Sequence, residues 1–194
     1  MACPCDGDAR PKDHDASMTL LKIAQIGHPI LRTRCLPVGD PTDAEVRRLA
    51  LDMIDTMRDA PGVGLAGPQV YQDARIIVFM VPPERREEGE PEGPADVTAL
   101  VNPSFEPIGE AMTGGLEGCL SIPELRGVVP RHARIRYRGT TPEGEAIERE
   151  ASGFHARVVQ HEIDHLDGVL FLDRMRDLSL LAAASEVHHL LEDD

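Results

Sequence analysis

The stretch Val158–Gly168, "VVQHEIDHLDG", holds His161, Glu162 and His165 in the pattern H-E-x-x-H. On a helix, residues four apart leave the same face about one turn apart. Two imidazole nitrogens placed this way can meet one divalent ion at ~2.0–2.1 Å. Glu162 points slightly off that axis, where it can reach a water without ligating the ion. Two histidines meeting by chance on a helix surface is the plain alternative. The glutamate beside the first histidine and the clear apolar face of Ala156, Val159, Ile163 and Leu166 speak against it. The spacing predicts a helix over about Ser152–Leu166, stopped by Gly168. The expected architecture is α+β, with mixed short-strand sheets wrapped around this central metal-binding helix.

Two histidines do not close a metal site, so the third ligand decides between chemistries. Metzincin proteases need H-E-x-x-H-x-x-G-x-x-H; Gly168 fits that pattern, but Phe171 stands where the last histidine would be and cannot ligate. Thermolysin-like proteases draw a glutamate from a later helix, and Glu186 lies at a suitable distance downstream. Its surroundings, "AAASEVHHLLEDD", carry no other mark of such a site, and an acid on an acidic face is usually solvated. His188 and His189 are adjacent and face different ways. Upstream, Cys119 sits in "GGLEGCLSIPELRGVVP", with Gly114, Gly115 and Gly118 allowing close backbone approach. A thiolate there would give Cys-His-His with an open fourth position, the form of a catalytic site. A lone cysteine is otherwise most often a small core residue.

Working outward from the helix, "PTDAEVRRLALDMIDTMRDAPG" reads as a second helix. Thr42 and Glu45 form a capping box, Val46, Leu49, Met53, Ile54 and Met57 share one face, and Pro61-Gly62 end it. "RIIVFMV" (Arg75–Val81), "VTALVNP", "HARIRYRG" and "GEAIERE" read as strands. Between the first two, "PPERREEGEPEGPAD" is a long exposed loop by composition. "DLSLLAAASEVHHLL" reads as an amphipathic acidic helix.

With 194 residues the chain suits one domain with a real core, and aromatics at 3% leave that core to Leu, Val and Ile. A formal charge of −14 argues against tight docking on nucleic acid or anionic membrane. No run approaches the ~18 apolar residues of a membrane span. "MACPCDGDARPKDHDAS" lacks the apolar core of a secretory signal and is too acidic for a mitochondrial presequence, so residues 1–17 read as a flexible tail, with Met18 as an alternative start. Residues 18–176 would form a single catalytic domain and residues 177–194 an acidic C-terminal helix or tail. The cysteines, Cys3, Cys5, Cys35 and Cys119, show no disulfide or C-x-x-C spacing, which favours a reducing cytoplasm.

Three stretches taken together resemble the peptide deformylases, in the branch that includes bacterial, mitochondrial and plastid enzymes. That family is marked by G-x-G-L-A-A-x-Q, then E-G-C-L-S, then Q-H-E-x-D-H-L. This chain has "GVGLAGPQ" (Gly62–Gln69), "EGCLS" (Glu117–Ser121) and "QHEIDHL" (Gln160–Leu166), in that order and at similar spacing. The match extends through "SIPELRGVVPR", "ASGFHARVVQHE" and "DGVLFLDRM", from about Leu20 to Met175. It departs at Gly67 and Pro68, where the family has a second alanine and a variable residue; this puts the position of Gln69 in question.

The resemblance implies a metallohydrolase that removes the formyl group from N-formylmethionyl nascent peptides. It implies that Cys119, His161 and His165 bind one divalent metal, Fe(II) in the first place, with Zn, Ni or Co as replacements. Glu162 would be the acid/base, and Gln69 with the backbone N–H of Leu120 would receive the oxyanion. Arg126 falls where the family has an arginine near the bound peptide. Val63, Phe154 and Val158 are candidate walls of a methionine pocket, with Gly64 and Gly118 beside them. The expected protein is a cytoplasmic monomer, transiently near the ribosome, with no direct contact to nucleic acid or membrane; the acidic "EVHHLLEDD" does not suit docking on phosphate. The rivals are a zinc peptidase using Glu186 in place of Cys119 and a non-catalytic binder of formylated peptides.

Overall fold

The helix α1 (Ala44–Asp59) forms where the apolar periodicity predicts it, but its cap differs from the expected Thr42–Glu45 box. Asp43 is the N-cap, and its side chain accepts a 2.8 Å bond from the Glu45 backbone N–H. Thr42 is drawn off instead to the Asp40 carboxylate, which accepts from both its hydroxyl and its N–H. Aspartate and threonine are both good caps, and the Asp40 side chain decides which of them is free. The computed structural model describes residues 19–85, 94 and 96–190. The expected tail 1–17 and the central part of the expected acidic loop, 86–93, lie outside the described residues.

The remaining elements are β1 (Gly64–Ala66), β2 (Ile76–Phe79), β3 (Thr98–Pro107), β4 (Met112–Cys119), β5 (Ile122–His132), β6 (Arg134–Thr140), β7 (Ala146–Ser152), α2 (Gly153–Leu166), α3 (Phe171–Arg174) and β8 (Leu181–Ala183). All pairings are antiparallel. A five-stranded sheet runs β1-β2-β3-β6-β7 and a three-stranded sheet runs β4-β5-β8. The fold is α+β, as the sequence predicts.

The unbroken apolar run of β2 has a simple cause: both of its faces are covered. Ile76 and Val78 pack with Met53 and Met57 of α1, while Ile77 and Phe79 pack with Ala156, Val159, Ile163 and Leu166 of α2. α2 is therefore central, touching both sheets. Its end is set by Gly168, which sits at φ +74 and within 2.8 Å, measured from a would-be Cβ, of the Arg32 backbone. Only glycine satisfies both conditions, so the chain turns there.

The C-terminal segment corrects the sequence reading. Instead of one amphipathic helix, residues 178–190 form two short 3-10 turns around β8. Ala183, Ala182 and Leu181 pair with Leu125, Arg126 and Gly127 of β5, and Leu181 packs against the cluster of Leu31, Ile122, Leu170 and Phe171. The open edge of β5 offers backbone partners and an apolar seat, and these outweigh the helix preference of "LLAAA".

Candidate metal centre

Three elements bring the site together. β4 ends on Cys119, where the pairing with β5 shifts register between Glu117 and Cys119. α2 presents His161 and His165, their ring centroids 5.0 Å apart. β1 leads into a 3-10 turn, Gly67–Val70, that carries Gln69. The ligand atoms of Cys119, His161 and His165 all lie within 4.8 Å of one another, and Cys119 Sγ is 3.2 Å from His165 Nε2. Among the described residues this is the one group of three such donors. Glu186, the rival ligand, is exposed beside His189, and the rings of His188 and His189 lie against each other at a tilt of 41°. Phe171 lies against the His161 ring as a buried wall.

The donor set suits a divalent ion. Burial would raise the Cys119 thiol, but the charge of His165 and hydrogen bonds from both histidines hold it well below its usual value, so the sulfur is ready as a thiolate. Cys35 shows the opposite case: burial and the nearby Asp73 push it up to about 11, leaving an inert core thiol. His161 gives its Nδ1 to Glu117 Oε2 at 2.8 Å, which fixes the ring and leaves Nε2 for a metal. An ion held by one thiolate and two imidazoles fits these residues.

Glu162 lies beside the donors, buried, with Oε1 packed on Gly64. A Cβ at Gly64 would stand 2.1 Å from that oxygen, so glycine is what lets the carboxylate occupy this place. Its other oxygen, Oε2, has no hydrogen-bond partner among the described residues. Burial raises the carboxyl to about 7, with His161 and His165 opposing the rise.

Gln69 is held firmly in spite of the departure at Gly67-Pro68. Its Oε1 accepts from Ala66 N–H at 2.8 Å, and its Nε2 lies 3.4 Å from Cys119 Sγ and 3.2 Å from Ser121 Oγ. Pro68 starts the turn, and a Cβ at Gly67 would come within 2.5 Å of the Ala74 carbonyl oxygen. Alanine, the family's residue, has no room here. Gly67→Ala is expected to destabilise the protein by about 1–3 kcal/mol in denaturant unfolding, because the clash is with backbone.

A cleft of about 450 Å3 opens onto the donors; its lining includes Val63, Gly64, Gln69, Gly118, Cys119, Leu120, Arg126, Phe154, Val158 and His161. All six residues expected around the substrate line this one cleft.

Sequence reasoning missed the ionic layer beneath the donors. Glu117 accepts from Arg131 Nε and NH2 (2.9 Å each), from Arg157 NH1 (2.8 Å) and from His161. Arg131 also pairs with Asp164, which binds Arg174 at 2.6 Å. Burial would raise Glu117, but the bonds from Arg131 and His161 hold it well below the usual carboxylate range. Glu117 and Asp164 stand inside the motifs EGCLS and QHEIDHL, but nothing in the sequence pairs them with Arg131, Arg157 and Arg174. Arg131→Met is expected to cost about 3–5 kcal/mol in unfolding free energy, since it leaves two buried carboxylates short of a partner. Because the folded Glu117 carboxyl lies below its ordinary value of 4.5, its contribution is complete above that pH. It fades as pH falls further, so the difference between the variants should shrink on acidification.

Similarity to known proteins agrees with this geometry. The profile of the polypeptide deformylase family matches residues 20–180. Peptide deformylase 1 of Bordetella pertussis is 49% identical over 158 residues, covering 81% of this chain and 88% of its own. The structure of a class I type b peptide deformylase from Acinetobacter baumannii with Met-Ala-Ser bound superposes with a TM-score of 0.73 at 38% identity, covering 81% of this chain and 99% of that one. The Thermotoga maritima peptide deformylase gives 0.73 at 36% identity, with the same coverage. On sequence and on fold alike, this chain belongs to the polypeptide deformylase family of metal-dependent hydrolases.

Proposed function

We propose that this chain hydrolyses the formamide of N-formylmethionyl peptides, releasing formate and a peptide with a free N-terminal methionine. The observation that carries the reading is that Cys119, His161 and Gln69 line one cleft, with His165 against Cys119 and Glu162 packed on Gly64, both buried directly behind it. The relative from Acinetobacter baumannii, solved with Met-Ala-Ser, binds a tripeptide that begins as such a product would.

In this reading Cys119, His161 and His165 hold one divalent ion, Fe(II) by family resemblance, with Zn, Ni or Co able to take its place. When bound, such an ion lowers the pKa of water from 15.7 to about 7 and polarises a carbonyl oxygen. Glu162 takes a proton from the attacking water at its unpartnered Oε2 and passes it to the leaving amine. Gln69 donates from Nε2 to the developing oxyanion; its own Oε1 is occupied by Ala66 N–H, so the amide cannot turn its oxygen inward. The backbone N–H of Leu120 is the second donor. Val63, Phe154 and Val158 receive the methionine side chain, and a formyl carbon, bearing only hydrogen, needs little room.

The same reading places the enzyme in the cytoplasm as a monomer, working close to the ribosome on emerging chains. The described cysteines, Cys35 and Cys119, are both free thiols, which suits a reducing compartment. No helix among the described residues is long and apolar enough to cross a membrane. Formate release from formyl-Met-Ala-Ser by the metal-loaded protein is the direct test. Tight binding of that peptide without formate would turn the reading to a non-catalytic binder.

A further inference from the structure

At its rim and lining, the cleft beside the metal donors carries, among the described residues, Arg85, Arg126 and Arg157 against Glu117 and Glu124, a balance opposite in sign to that of the chain as a whole. The chain carries 34 acids against 20 Lys and Arg, yet Arg85 and Arg126 both line this cleft. Arg85 closes the 3-10 turn Pro83–Arg85 soon after β2 and is exposed, so it stands at the outer edge. Its Cζ lies 5.2 Å from the centroid of Phe154, whose ring is packed into the main core. This cation–π contact restrains the guanidinium at the side of the cleft.

The buried arginines nearby are committed to acids: Arg131 and Arg157 both bind Glu117. Among the described residues Arg126 donates only to the carbonyl of Leu125. Among the described residues neither Arg85 nor Arg126 forms an ion pair, and Glu124, which also lines the cleft, forms none with either.

A substrate seated as proposed above puts its formyl group and methionine inside the cleft, so the following residues must leave across this rim. A chain advances about 3.3–3.6 Å per residue, so the residues soon after the methionine are the ones that cross it. We propose that Arg85 is a specificity-determining residue, selecting formylated peptides that carry an acidic side chain at the third position. This inference rests on the deformylase reading. It also supplies what the net charge denies: a local attraction for acidic chains that the field of the whole molecule repels.

The test uses the metal-loaded full-length protein with formyl-Met-Ala-Glu, formyl-Met-Ala-Gln and formyl-Met-Ala-Lys, each as its C-terminal amide. The amide removes the terminal carboxylate, so any preference reads the side chain. The expected result is a kcat/KM for the Glu peptide roughly 5–10-fold above that for the Lys peptide at low salt, carried by KM. The ratio should fall toward one in about 0.5 M salt. Arg85→Gln should bring it down by roughly threefold, and Arg85→Lys, which keeps the charge, should restore most of it. A ratio near one in the parent protein, or one that Arg85→Gln leaves unchanged, overturns the inference. So does a preference that appears only when the Gln peptide is assayed in addition as its free acid, which would mean that a terminal carboxylate is read instead. Formate from all three amides at equal efficiency defeats this inference alone, whereas no formate from any of them defeats the deformylase reading along with it.

Discussion

Glu162→Gln is expected to keep a full complement of metal and to lose turnover by roughly 10²–10⁴-fold, the usual contribution of a positioned general acid/base. The substitution is nearly isosteric, so the packing on Gly64 survives. It removes only the ability to take up and return a proton. The position suits proton transfer, because the carboxylate is buried, one oxygen has no partner among the described residues, and burial brings its pKa to about 7. A cation held by the adjoining ligands opposes this rise, so the group is tuned between two opposing fields. Metal analysis and formate release on the same sample decide the matter. A variant that turns over within tenfold of the parent would remove Glu162 from the mechanism. One that loses its metal would make Glu162 a structural support of the site.

Cys119→Ala is the second large expectation: the variant should fold and lose its stoichiometric metal on dialysis, and activity with it. Cys119 sits where β4 leaves its regular pairing with β5, so the side chain is presented by the strand end and is not part of a continuing ladder. Its sulfur lies 3.2 Å from His165 Nε2 and is favoured as thiolate by both histidines. Losing an outer hydrogen-bond partner of a ligand typically costs about 10–100-fold in metal affinity, and losing the ligand atom exceeds that. Metal retained at one per chain would mean that another group closes the site and would restore a peptidase-like ligand set to consideration.

The sequence made α2 and β2 legible for a physical reason. Both are buried by periodic or unbroken apolar runs, and burial is what hydrophobic pattern reports. The histidines and Glu162 were legible because a helix converts spacing directly into geometry. Cys119 was different: it arrives from a strand more than forty residues upstream, and only the company of two other motifs marked it. Glu117 and Asp164 stood within the motifs, but their burial and their pairing with Arg131 and Arg157 were not legible. A charged residue in a sequence reads as surface, and each of these is buried only because the others are. Gly67 stood as a departure from the family pattern, yet it turns out to be required by the Ala74 carbonyl, a contact that no local pattern contains. The C-terminal segment misled for the converse reason, since its local preference was real and a neighbouring strand edge overruled it.

That last strand, β8, has a bearing on how such a chain can change over generations. It serves β5 through its backbone, while Leu181 alone among its side chains joins an apolar cluster. Residues at 182 and 183 are thus free to drift among most amino acids, proline excepted, because a peptide group pairs whatever it carries. Drift there would leave few traces in sequence comparison even though the tail keeps the same place. Length is under tighter constraint than identity: a stop codon before position 181 would uncover the β5 edge that carries Arg126 and leave it open to pairing between molecules.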